Sequence, residues 1–391
     1  MLILGAAGAA SGAAPAQPRV VHFLVPQRYV DLPRVYRDTV VWSATNCDFH
    51  KPCDVDLYTS PVHPFHPRVI AVNRPPDYNL FNGVVMSRHW LVWEEGGYTW
   101  QLWAMNRGTG GHFLVDSSKT SGHPPYDWAT PTWALEGDTV VWAVTTCLAH
   151  CVTSPNGAGH WVSSIRMKRL PGGRTTTLYT TQAPCNQAWP AIAPHIRFAV
   201  WMQEGTCPSR VDGGPPTYNV NGTDLLIEHF PAGRVTQLTT NHLSSVPTTN
   251  GRYIAWKEAP DRFAPGAIWL LDLKTGATVM VSRRAKHDPK DPSAACRAGP
   301  GQPWTQCDYS PTLLQDSLVW YAHSSSRIDA YGLTSHRVYI LDKGRVYAGP
   351  MYPEGSADGN YAVWQWNDNL TNPPPGVWPI KHYIAVARPP N

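Results

Sequence analysis

Apolar and polar residues alternate in short runs along most of the chain, and no segment sustains the 3.6-residue apolar period of a helix. The most regular run is a β-branched or apolar pair closed by tryptophan. It recurs seven times: Val40-Val41-Trp42, Leu91-Val92-Trp93, Val140-Val141-Trp142, Ala199-Val200-Trp201, Ile254-Ala255-Trp256, Leu318-Val319-Trp320 and Ala362-Val363-Trp364. Successive tryptophans stand 51, 49, 59, 55, 64 and 44 residues apart. Most copies follow a polar turn, as at Arg37-Asp38, Gly137-Asp138, Asn250-Gly251, Gln315-Asp316 and Asp358-Gly359. A proline often stands nine to eleven residues before the tryptophan, at Pro131, Pro190, Pro247, Pro311 and Pro353.

Two more strand-like runs, joined by a tight link with glycine, follow the clearest copies. Ile268–Leu273 leads through Lys274-Thr275-Gly276 to Thr278–Val281, and Leu225–Phe230 leads through Pro231-Ala232-Gly233 to Val235–Leu238. Each unit therefore reads as four antiparallel strands, A to D. A repeat of about 50 residues with four strands has the size of a propeller blade. The fold expected is all-β: a seven-bladed propeller of four-stranded antiparallel blades. One such sheet cannot bury both faces alone, so each strand-B tryptophan is expected in the wedge between two blades.

The last unit has strand B near 360–366 and strand C near 381–387, with no strand D after it. The run Arg19–Val25 precedes the first unit without a partner there. It is expected to supply the missing outer strand and close the ring.

In a four-stranded blade the D–A and B–C connections share one face, and A–B and C–D share the other. The A–B and C–D links are short. The long connections are 146–160, 204–222 and 367–379 (B–C) and 283–308 (D–A). Loops longer than about 12–15 residues are usually functional or disordered, so the D–A/B–C face is the expected working face.

Composition adds the compartment and removes some partners. Charged residues are 15% of the chain, against about 25% in an ordinary soluble protein. A net charge of +4 is too small to argue for nucleic acid. Residues 2–16 are small and apolar, and Ala14-Pro15-Ala16 fits a leader cleavage site. Residues 1–18 are read as a leader and 19–391 as one propeller, secreted or periplasmic and monomeric. No other stretch approaches the roughly 18 apolar residues a membrane helix needs, so no span is expected.

The eight cysteines fall as neighbours on loops of the elaborated face: Cys47 and Cys53, Cys147 and Cys151, Cys185 and Cys207, Cys296 and Cys307. Four disulfides between neighbours are expected, although eight cysteines allow 105 connectivities. The metal alternative is Cys147, His150, Cys151 and His160. A short disulfide accounts for the same cysteines in an exported chain, and no metal or cofactor is expected.

Three polar-aromatic pairs stand just before strand A: Asp77-Tyr78, Tyr126-Asp127 and Asp308-Tyr309. Strand A lines the central channel, so these residues are expected to ring its mouth. Aromatic faces beside carboxylates suit sugars or cationic peptides; the alternative is that each Asp caps its own turn. A second acidic set follows strand B at Glu94, Glu95, Glu204, Glu258 and Asp368. It could oppose the first set as acid and base across a pocket. His50, His123, His150, His160, His242 and His287 fall on the same face, without a ligand signature. The sequence holds no phosphate loop, serine-hydrolase elbow, zinc-protease helix motif or EF-hand loop. Asn221-Gly222-Thr223 and Asn369-Leu370-Thr371 match glycosylation sequons.

The unit Ser310-Pro311, then Asp316, then Leu318-Val319-Trp320, together with the turn Asp272-Leu273-Lys274-Thr275-Gly276, resembles the repeat of TolB-type propellers. In that family a Ser-Pro turn precedes an apolar strand, and an Asp-x-x-Thr-Gly turn joins the next two. The resemblance covers most of residues 30–388. It implies the propeller fold and a tendency toward protein binding. Seven-bladed relatives of that class include oligogalacturonate lyases, which use a metal held by channel histidines; no histidine here is matched to those. The expected function is an exported binding module that takes a protein or peptide on its long-loop face. The alternative is a propeller that binds or cleaves an extracellular polysaccharide. Binding is favoured over catalysis.

Overall fold

The computed structural model describes residues 20–25, 29–45, 55–73, 80–96, 100–117, 132–149, 160–182, 185–205, 222–231, 233–259, 266–282, 308–322, 327–342, 354–355, 359–369 and 380–389. They form seven separate four-stranded antiparallel sheets, one per tryptophan repeat. The chain is an all-β seven-bladed propeller. Its only helical turn among the described residues is Pro194–Ile196. No helix of the described residues is long and apolar enough to cross a membrane.

The strand-B segments are Thr39–Thr45, Trp90–Gly96, Thr139–Ala149, Phe198–Gly205, Tyr253–Glu258, Ser317–Ala322 and Ala362–Asn369. Side chains alternate faces along a strand, so Val40 and Trp42 share one face and Val41 takes the other. The core follows that alternation. Trp42 and Val40 pack with Val363 and Val386 of blade 7, whereas Val41 packs with Trp93 of blade 2. The same step repeats around the ring, giving seven apolar layers, each between two blades and each holding one tryptophan of the seven-fold repeat.

Blade 7 is assembled from both ends of the chain. Its strands in order are Glu354–Gly355, Ala362–Asn369, Ile380–Ala387 and the N-terminal Val20–Val25. The N-terminal strand runs antiparallel to the last one, from Val20 opposite Ala387 to Val25 opposite His382. This is the closure expected from the unpaired run Arg19–Val25.

The prolines before most of these tryptophans have a structural reason. Proline has no N–H for a ladder and is tolerated at bulges. The A–B register shifts in five blades, across 31–34, 81–84, 188–191, 245–248 and 309–312. Four of these bulges hold a residue followed by proline, at Pro33, Pro190, Pro247 and Pro311; the fifth holds Asn82-Gly83. The residue before the proline is left-handed at Trp189 (φ 52°) and Val246 (φ 51°), and Gly83 takes φ 87° in blade 2.

The A–B turns latch one blade to the next on the plain face. Ser87 Oγ donates to the Gly137 carbonyl at 2.7 Å. Asn250 Nδ2 donates to the Leu314 carbonyl at 2.9 Å, and Gln315 N to the Gly359 carbonyl at 3.1 Å.

Candidate functional site

The long connections of the D–A/B–C face lie outside the described residues, among them 206–221, 283–307 and 370–379. Asp77, Tyr78, Tyr126 and Asp127 lie there as well, as do Cys47, Cys53, Cys151, Cys207, Cys296 and Cys307. Two expectations change. Strand B of blade 3 runs to Ala149, so Cys147 belongs to the strand, beside a register shift, rather than to a loop. Asp308 and Tyr309 are the first residues of strand A in blade 6, opposite Ala322 and Tyr321, rather than residues before it. Antiparallel pairing continues past the bulge at 310–311, which carries the strand further toward the mouth. Their side chains are outside the described ones.

The connection from blade 4 to blade 5, residues 238–243, is described throughout. It carries a hydrogen-bonded polar cluster. Asp224, on strand C of blade 4 (Gly222–His229), is buried. Its Oδ2 accepts from His242 Nδ1–H at 2.7 Å and from Gln237 Nε2 at 3.1 Å. Its Oδ1 accepts from the His242 backbone N–H at 3.0 Å and from Thr239 Oγ1 at 3.3 Å. Burial pushes the Asp224 carboxyl above its ordinary range, against the lowering effect of these donors.

His242 is therefore held by backbone and ring at once. Its carbonyl also accepts from Thr223 N–H at 3.0 Å, and its backbone is left-handed at φ 61°. Gly222 makes room for it: a Cβ there would lie 2.5 Å from the His242 Cβ. The side chain is 39% exposed, which presents a fixed imidazole on the D–A/B–C face. An Asp–His contact of this kind fixes the orientation of the ring. The sequence places several histidines on this face, but nothing in it singles out His242: its partner is eighteen residues away and is brought to it by the sheet.

The acids expected after strand B, Glu94, Glu95, Glu204, Glu258 and Asp368, lie instead within its last residues, because the B–C pairing extends to them, and those whose contacts are described do a different job. Glu258 Oε1 accepts from the Trp256 indole N–H at 3.2 Å and from Asn241 Nδ2 at 2.6 Å. Burial raises its pKa, and those two donors oppose the rise. Glu95 Oε1 accepts likewise from Trp93 at 3.0 Å. Glu204 is half-buried at the end of strand B of blade 4, opposite Asn186 and Thr223. Among the described residues no group of three or more His, Cys, Asp or Glu could hold a metal ion.

Strand A of blade 4 (Asn186–Ile192) adds an aromatic surface. Trp189 sits in the bulge of this innermost strand and is 41% exposed. Its backbone N–H donates across to Thr132 Oγ1 of blade 3 at 2.7 Å.

Comparisons with known proteins extend the fold alone. No family model matches the chain, and no curated protein matches it in sequence. Among solved structures, an oligogalacturonate lyase in complex with manganese is similar at a TM-score of 0.56 and 10% identity, covering 95% of this chain and 91% of that one. The β-propeller domain of the trilobed protease from Pyrococcus furiosus gives 0.53 and 9%, covering 88% and 91%. Pyrococcus horikoshii acylaminoacyl peptidase gives 0.54 and 10%, covering 91% of this chain and 50% of that chain, so this chain spans half of that enzyme. The repeat that resembles that of TolB-type propellers in sequence is thus a blade of a propeller in the structure, and the likeness to solved structures is one of fold.

Proposed function

We propose that the chain is an exported binding module that holds a protein or peptide partner on its D–A/B–C face. The observation that carries the reading is the engagement of Glu258. Its carboxylate is tied to the Trp256 indole and to Asn241, and Glu95 is tied to Trp93 in the same way. These contacts tie both acids to the scaffold, a role that needs no opposing acid–base partner. Long connections on one rim, carried by a rigid ring, suit recognition.

Export is part of the same proposal: residues 1–18 as leader and 19–391 as one propeller. Cys185 is disulfide-bonded and buried, which supports an oxidising compartment. The pairings proposed are Cys47 with Cys53, Cys147 with Cys151, Cys185 with Cys207 and Cys296 with Cys307. The mouth residues proposed are Asp77, Tyr78, Tyr126, Asp127, Asp308, Tyr309 and Glu204.

A second reading, a neutral extracellular glycan, is favoured by Trp189, whose exposed indole on the channel strand offers a flat face for a sugar ring. One experiment separates the two. The purified chain is tested on a polysaccharide panel, by tryptophan fluorescence and by release of reducing ends, and in parallel is used to select peptides from a display library. The expected result is a silent panel and selected peptides that lose binding when 206–221 is replaced by a short Gly-Ser link. Reducing ends that vanish in Asp308→Ala or Glu258→Ala would overturn the binding-module reading. Fluorescence binding lost in Trp189→Ala, without product, would transfer it to the glycan.

A further inference from the structure

Neighbouring blades diverge outward, so each wedge between them is widest at strand D. Between blades 7 and 1 aromatic rings fill it: Phe23 and Phe65 stack with centroids 4.2 Å apart, and Phe65 stacks on Trp42 at 5.7 Å. Between blades 5 and 6 the outer strands are Thr278–Met280 and Val338–Asp342. Val281 and Val338 belong to the layer shared by these blades, so the alternation turns Val279 and Ile340 toward the same wedge. These two aliphatic side chains remain 46% and 38% exposed. A cavity of about 500 Å³ is left, lined by Val279, Val281, Tyr331, His336, Arg337 and Val338.

The chemistry of the lining is one-sided. The Tyr331 hydroxyl and His336 Nδ1 lie 2.8 Å apart and stiffen one wall. Arg337 is exposed, and among the described residues no carboxylate pairs with it. Among the described residues no acid lines the cavity. Strand D of blade 5 is also the end of its sheet, so among the described strands its outer backbone edge has no ladder partner. An edge of this kind accepts an added extended segment, with pockets for alternate side chains.

We propose that the wedge between blades 5 and 6 seats an apolar side chain of an extended, acidic peptide segment of a partner protein. The apolar residue fills the space that aromatic rings fill between blades 7 and 1. A neighbouring carboxylate meets Arg337. The site lies on the perimeter at the C–D-turn end of the blades, away from the long-loop face, so it stands or falls independently of the function proposed above.

The test is fluorescence anisotropy with three labelled hexapeptides: a central leucine flanked by glutamates, the same leucine flanked by lysines, and a central alanine flanked by glutamates. The leucine–glutamate peptide is expected to bind saturably, with its lysine twin about tenfold weaker because a favourable charge contact is replaced by a repulsive one. Val279→Arg, at an exposed position that leaves the melting curve unchanged, is expected to abolish binding. Arg337→Glu is expected to reverse the glutamate–lysine preference. Absence of saturable binding to the leucine–glutamate peptide would overturn the proposal. So would equal binding of the alanine peptide, or affinities indifferent to both substitutions.

Discussion

In blades 2 to 5 the indole N–H of every strand-B tryptophan meets a side-chain acceptor. Trp93 donates to Glu95 at 3.0 Å, Trp142 to Asp116 at 2.8 Å, Trp201 to Gln187 at 2.8 Å and Trp256 to Glu258 at 3.2 Å. In blades 6, 7 and 1 the indole N–H of Trp320, Trp364 and Trp42 is buried with no hydrogen-bond partner among the described residues. The three unpaired indoles occupy consecutive wedges around the blade where the chain closes. Each unpaired donor costs about 1–3 kcal/mol relative to a satisfied one. The wedge thus requires the volume of tryptophan everywhere and a polar partner only on one arc. That arc is fixed by hydrogen bonds as well as by packing. The arc through blade 7 has no such indole bond among the described residues and relies on apolar contact, on the turn-to-turn latches at Leu314 and Gly359 and on the N-terminal ladder.

Deleting residues 20–25 attacks the second arc where it is least supported and carries the largest expected effect. Strand C of blade 7 loses its partner, and Val25 and Phe23 leave the layer with blade 1. Calorimetry should show the cooperative transition lost or split; an unchanged melt would remove the closing role from this strand. Asp116→Ala attacks the first arc. It strips an acceptor from the Trp142 indole and from Arg166, whose Nη1 lies 2.9 Å away. The pair is partly exposed, so about 2 kcal/mol of destabilisation is expected in urea unfolding.

Trp142→Phe set against Trp320→Phe compares the arcs directly. Both lose volume, but only the first loses a hydrogen bond, so it should be the costlier by about 1 kcal/mol. Equal costs would mean that the indole bonds contribute nothing net. The smallest effect is expected at Glu228 in blade 4. This side chain is buried, with Oε2 unpartnered, and burial raises its pKa. In the folded protein the protonated form is favoured. Stability is therefore greatest below the ordinary glutamate pKa of about 4.3 and falls as pH rises toward the folded value. Glu228→Gln should raise the melting temperature at pH 7 and leave it nearly unchanged at pH 4.

The blades were legible because a strand writes its burial at every second residue, and the V-V-W run carries both buried faces at once. The closing strand was legible because Arg19–Val25 had no partner and the last unit had no outer strand. The prolines were visible, but not the left-handed bulges they mark at Trp189 and Val246: a local conformation set by the neighbouring strand leaves only an indirect trace. The role of Glu258 was readable in principle. An acid two residues after the tryptophan occurs at Trp93-Glu94-Glu95 and at Trp256-Lys257-Glu258, and in a strand that spacing puts both side chains on one face. The Asp224–His242 pair was not readable, because only the placing of strand C beside the following connection brings the two together.

The antiparallel match of Val20 with Ala387 also sets an order of events during synthesis. The strand 20–25 leaves the ribosome long before its partner has been made. Six blades can form on the growing chain while this strand waits as a bare apolar edge, open to the wrong neighbour. A chain interrupted before 380 leaves that strand, and the gap it should close, permanently unmatched. Quality control thus has a ready mark by which to tell a finished ring from an unfinished one.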